Sequence, residues 1–211
     1  MSDVINNLAK ATAHWLEYKA AAGFGAANCE ALLIVPIVEC LAASMYSSKT
    51  EQKMSSENGG PDEYSSCDVE ATKNNGESGI ILETKYLTGN DKRLYIDLLK
   101  LASPTEQQRP KGKWHRLLLI AGKATYLANS EVVKRLKKTD TVIIKANGNY
   151  ALQDNELDLE HEGKSNQELR KYWTRNEKLF PPNTSGRFAI KMGFEANADE
   201  TRVVIFSVTR P

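Results

Sequence analysis

Cysteine is scarce in this chain of 211 residues: Cys29, Cys40 and Cys67 are an odd number without metal-ligand spacing. That argues against a disulfide framework and a zinc site, and suits a reducing compartment. Long apolar runs are missing too. The longest, Ala31 to Val38, is far below the roughly 18 residues of a membrane span. The start MSDVINNLAK lacks the basic n-region and apolar h-region of a secretory signal. A cytoplasmic protein with no membrane partner is therefore expected. An excess of charge is absent: the formal net charge of +1 argues against function by bulk positive charge, so any nucleic-acid contact must come from local clusters. His14, His115 and His161 are isolated, and form no Ser-His-Asp arrangement. Gly122-Lys123 lacks the spaced glycine of a phosphate loop, which removes an NTPase.

What is present is ordinary globular material, 41% hydrophobic and 26% charged, enough for one domain over residues 1–211. Residues 4–20 carry Val4, Leu8, Ala11, Trp15 and Leu16 near helical spacing and break at AAGFGAAN. NCEALLIVPIVECLAAS predicts an enclosed helix with Asn28 as N-cap and a bend at Pro36. The polar stretch 47–66 reads as a long, mobile connection. CDVEAT and SGIILETKYL, joined by KNNGE, read as a hairpin. DKRLYIDLLKLA is an amphipathic helix; RLLLIAG and TVIIKA are buried strands flanking a helix, SEVVKRLKK, capped by Ser130. The extension 147–211 holds the acid-rich NELDLEHE, a helix in NQELRKYWTRNEKLF and a terminal hairpin. The whole predicts an α/β fold.

The chemistry gathers on the first hairpin. Side chains alternate along a strand, so Glu83 and Lys85 share one face. A turn centred on Asn74 and Asn75 sets Asp68 opposite residue 81 or so, and twist or a one-residue bulge brings its carboxylate beside Glu83. Two convergent carboxylates suit a hard cation, Mg²⁺ or Mn²⁺, that takes a remaining ligand from substrate phosphate. Lys85 is placed to orient the attacking water or neutralise developing charge.

Asp68, then fourteen residues, then Glu83-Thr84-Lys85 preceded by the apolar Gly79-Ile80-Ile81-Leu82 resembles the D-x(n)-ExK core of the PD-(D/E)XK nuclease superfamily. The element order over roughly residues 25–145 also resembles that family's restriction-endonuclease-like αβββαβ core. The resemblance implies a mixed central sheet flanked by helices, and metal-dependent hydrolysis of phosphodiester bonds in DNA. It also implies a supporting acid from the helix ahead of the hairpin. Glu30 fits, because it shares its azimuth with Ile34, Ile37 and Leu41 and is expected to point inward; Glu39 is the second choice. The Pro61-Asp62 pair competes with Asp68 for the first acid.

Three basic clusters are candidates for phosphate contact: Lys111-Lys113-His115-Arg116, Lys134-Arg135-Lys137-Lys138, and Arg170-Lys171-Arg175-Lys178. The third ranks first because Tyr172 and Trp173 lie within it and can stack on bases or sugars. The bland reading of each is a solvated face, and of Glu83 with Lys85 an exposed cross-strand pair. The functional alternatives are a catalytically inactive DNA- or protein-binding module on the same fold, and an interaction subunit whose stretch 47–66 orders on a partner. A homodimeric assembly is left open.

Overall fold

The computed structural model describes residues 1–24, 30–53, 66–76, 78–89, 93–102, 113–143, 153–175 and 187–209. Aliphatic runs with few polar interruptions become the inner strands, because both faces of such a strand need covering. SGIILETKYL forms β3 (Ser78–Leu87), and KWHRLLLIAGK forms β4 (Lys113–Lys123) parallel to it. The polar YSSKTEQK makes β1 (Tyr46–Lys53) at the sheet edge, paired antiparallel to β2 (Ser66–Lys73), which in turn pairs antiparallel to β3. With β5 (Thr141–Ile143), β6 (Glu156–Asp158), β7 (Arg187–Ala198) and β8 (Thr201–Thr209), these strands form one mixed sheet in the order β1-β2-β3-β4-β8-β7-β5-β6.

Helices cover both faces. On one, α1 (Ser2–Lys19) and α2 (Glu30–Ala43) bury Leu8, Leu16, Leu33, Ile37 and Leu41 against Ile80, Leu82, Leu117, Leu119 and Ile205. On the other, α3 (Leu94–Ala102) and α5 (Glu131–Lys138), which follows the short α4 (Ala124–Asn129), bury Leu94, Leu98, Leu99, Val133 and Leu136 against Ile81, Leu118, Ile120 and Phe206. The short α6 (Leu159–Ser165) and then α7 (Gln167–Arg175) complete the described helices. Each such aliphatic side chain contributes roughly 1.5–3 kcal/mol on burial. Ser130 caps α5, its Oγ accepting from Val133 N at 3.3 Å.

Two expectations need correction, and two segments gain definition. Residues 46–53 are not connection but strand β1, held by seven residue pairings to β2; hydrogen bonding along an edge asks little of side-chain hydrophobicity, so a polar sequence serves. The remainder of that stretch, with Asp62, lies outside the described residues, as do Asn28 and Cys29. The hairpin β2–β3 is centred one position later than a turn on Asn74 and Asn75, which shifts each pairing by two residues. Gly76, at φ 72°, donates its N–H to Lys73 O at 2.7 Å, and the pairs are Val69 with Leu82 and Thr72 with Gly79. The acid-rich NELD supplies β6, where Glu156, Leu157 and Asp158 are all buried, and Asp158 caps α6 by accepting from Glu160 N at 2.9 Å. Finally, the expected terminal hairpin forms as β7 and β8, and it is central to the sheet: β8 lies between β4 and β7, and β5 pairs with β7.

Candidate functional site

The site lies where β2 leaves β3. The last pair of that ladder is Val69 with Leu82, so Asp68 is the next residue facing Glu83. Beyond it β2 stays with β1, through Gln52 with Cys67, while β3 stays with β4, through Lys85 with Ile120. The two strands fork. Asp68 closes the base of the fork: its Oδ2 accepts from Thr84 N at 2.6 Å and from Thr84 Oγ1 at 2.8 Å. A side chain thus satisfies a backbone N–H that the departing strand no longer serves.

Glu83 and Lys85 project from the face of β3 that α3 covers, and both are buried. Lys85 Nζ meets Glu30 Oε1 at 2.6 Å, and Glu83 Oε2 accepts from Lys100 Nζ of α3 at 3.1 Å. Lys100 also contacts Asp97 Oδ1 at 3.7 Å. Glu83 Oε1 and Asp97 Oδ2 are buried with no hydrogen-bond partner among the described residues. Four acids and two lysines therefore meet at the fork.

Burial holds the Glu83 carboxyl well above the ordinary glutamate range; Lys100 pulls the other way, and the negative charges of Asp97 and Asp68 add to the rise. Burial likewise pushes Asp97 up to about 6 against Lys100 and Lys85, with Asp68 and Glu30 adding to it. The Lys100 ammonium is held firmly charged by Glu83 and Asp97 in spite of its burial. Mutual repulsion among carboxylates relieved by a shared cation is the electrostatic pattern of a cation-binding site. Among the described residues no three His, Cys, Asp or Glu side chains are grouped to hold a metal ion; the cation at Glu83 and Asp97 is an ammonium.

Of the expected residues, Asp68, Glu83, Lys85 and Glu30 come together. Glu30 differs in one respect: its side chain is 46% exposed, because it is the first residue of α2 and precedes Leu33, the first of that helix to be buried. It approaches the site by pairing with Lys85 and not by inward burial. Glu39 is exposed and lines a groove between α1 and α2 with His14 and Trp15. Asp97 and Lys100 were missed, although Asp97 stands three residues after Leu94 and four before Leu101, an acid within an apolar stripe.

Three members of the second basic cluster are paired within the chain: Lys134 to Glu131 at 2.8 Å, Arg135 to Glu162 at 3.2 Å, and Lys137 to Glu195 at 2.8 Å. In the first, Lys113 is exposed, His115 half-buried and Arg116 buried. In the third, Arg170 and Lys171 are exposed on α7; the side chains of Tyr172, Trp173 and Arg175 lie outside those described. No helix among the described residues is long and apolar enough to cross a membrane.

No protein-family model, curated protein or solved structure matches this chain.

Proposed function

We propose that the fork is the active site of a metal-dependent phosphodiesterase acting on DNA, of the PD-(D/E)XK kind. The observation that carries the reading is the juxtaposition of Asp68 and Glu83 at the point where β2 and β3 part, with Lys85 one position along the same face. The succession of α2, β1, β2, β3, α3 and β4, with β1 to β4 adjacent in that order and β3 parallel to β4, supports it.

The donor set suits a hard divalent cation such as Mg²⁺ or Mn²⁺. It consists of carboxylate oxygens, and the buried Glu83 Oε1 lacks a hydrogen-bond partner among the described residues. Asp68 and Glu83 would hold the ion. When bound, it supplies Lewis-acid polarisation of the phosphoryl group and acidification of water. Asp68 contributes a carboxylate already oriented by two hydrogen bonds from Thr84. Lys85, fixed by Glu30, presents a positive charge to the attacking water or to the charge that develops on the phosphate. Arg170 and Lys171 are the exposed cations of α7 that would steer a phosphate backbone. A cytoplasmic setting belongs to the same reading.

A second reading has its own support. The buried ion pair of Lys100 with Glu83 neutralises the central acid, as a nuclease-fold binding module without catalysis would. Cleavage separates the two. Supercoiled, linear and branched DNA incubated with Mg²⁺ or Mn²⁺ is expected to be cut by the wild-type chain. Glu83→Ala and Lys85→Ala are each expected to reduce the rate by about 100-fold or more. Absence of metal-dependent cutting on every substrate, or undiminished cutting by both variants, would overturn the nuclease; retained DNA binding without cutting would establish the module.

A further inference from the structure

The ion pair of Lys100 is incomplete as a structural device. A buried pair offsets its desolvation only when the remaining lone pairs are also satisfied. Here one oxygen of Glu83 and one of Asp97 face no hydrogen-bond donor among the described residues, although Glu83 is 1% exposed and Asp97 7%. The other oxygen of each is engaged by the same ammonium. Asp68 stands at the end of the same ladder, next to Val69, whose partner Leu82 precedes Glu83. Two buried acids with spare acceptor capacity, a third beside them and one mobile-stemmed cation between them have more acceptor sites than an ammonium can fill.

We propose that Asp68, Glu83 and Asp97 form a three-carboxylate site in which the Lys100 ammonium is the resident counter-ion and competes with a divalent metal ion. The proposal rests on the metal-binding reading above and extends it by two residues of α3. Among the described residues the acids are not grouped for ligation; withdrawal of Lys100 would free Glu83 Oε2 and Asp97 Oδ1. Lys100 is then a positioning residue. It holds the acids in place without metal, and it weakens metal affinity by the like charge it brings.

The test is titration of the full chain with Mn²⁺, followed by the magnetic resonance signal of the free ion, with Mg²⁺ as competitor. Lys100→Met is expected to bind Mn²⁺ at least about tenfold more tightly than wild type, since one like charge has left the site. Lys100→Arg, which keeps the charge, is expected to stay near wild type. Adding Glu83→Gln or Asp97→Asn to Lys100→Met is expected to abolish the gain. Unchanged affinity in Lys100→Met overturns the proposal, as does a gain that survives both carboxylate substitutions. Should Lys100→Met fail to fold, the nitrogen-15 signal of the Lys100 ammonium in the wild-type chain gives the answer: it is expected to move on saturation with Mg²⁺, and a stationary signal overturns the proposal. A chain that cuts no DNA yet shows the affinity gain loses the nuclease and keeps the site. One that cuts with Glu83-dependent metal activity but shows no gain loses only the role of Lys100.

Discussion

Strands β3 and β4 run side by side in parallel, paired residue for residue from Ser78 with Lys113 to Leu87 with Gly122. In the middle of β4, Leu117 to Ala121 are all aliphatic and buried. At the same level β3 sets Glu83 beside Leu118 and Lys85 beside Ile120, and buries them as completely. The neighbouring strand thus fills this depth with apolar side chains and no charge. An acid and an amine kept there against a desolvation penalty of several kcal/mol per ion point to a use other than stability. The difference between the two strands is the site.

The sharpest way to break the comparison is to disturb the charges one at a time. Lys100→Met leaves Glu83 and Asp97 uncompensated and is expected to cost about 3–5 kcal/mol in urea denaturation at neutral pH without metal. Replacing the group together, as Glu83→Leu/Asp97→Leu/Lys100→Met, gives β3 the chemistry of β4. It is expected to recover that loss and to match or exceed wild type. If the triple variant is as unstable as the single one, the charges are part of the architecture after all.

Acidity gives a milder test. Asp97 is raised to about 6 from its ordinary 3.8, and Glu83 is raised as well, so between those two values the folded chain holds more protons than the unfolded one. Stability is then expected to fall as pH climbs from about 4 to about 6, by on the order of 1–3 kcal/mol. Asp97→Asn is expected to flatten that slope. A wild-type chain that gains stability over this range would contradict the burial of Glu83 and Asp97 as raised acids.

Two changes outside the fork give the scale for an ordinary region. Gly79 pairs with Trp114 at the far end of the β3–β4 ladder, and a β-carbon there would enter the Trp114 ring. Gly79→Ala is expected to destabilise by about 1–3 kcal/mol through overpacking, as read in thermal unfolding. Ser130→Ala removes the cap of α5 and is expected to cost about 1 kcal/mol. Neither should alter metal affinity.

The elements with strong periodicity were legible from sequence. Leu94, Leu98 and Leu101 announced α3, the aliphatic run before Glu83 announced β3, and Ser130 announced the start of α5. Glu83 and Lys85 were legible as neighbours because alternation along a strand is local. What escaped depends on partners distant in the chain. The edge strand β1 has no hydrophobic signature, since backbone hydrogen bonds to β2 define it. The register of Asp68 hinged on Gly76, whose positive φ allows a longer turn than two asparagines suggest. Lys100 was hidden because a lysine near the end of an amphipathic helix reads as solvated; only packing of α3 on β3 turns it toward Glu83.

The placement of β8 bears on how the chain is assembled. Residues 201–209 follow every other described element, yet among the described residues they supply the strand pairing that joins the β1–β4 half of the sheet to the β7-β5-β6 half. Until they arrive, Leu117 to Ala121 lie along an open strand edge, the kind that invites pairing with other chains. Folding must wait for that closing strand, a long-range contact that slows the search. A break ahead of Thr201 would leave the two half-sheets without strand pairing between them, joined through helices such as α1, which packs against both β4 and β7.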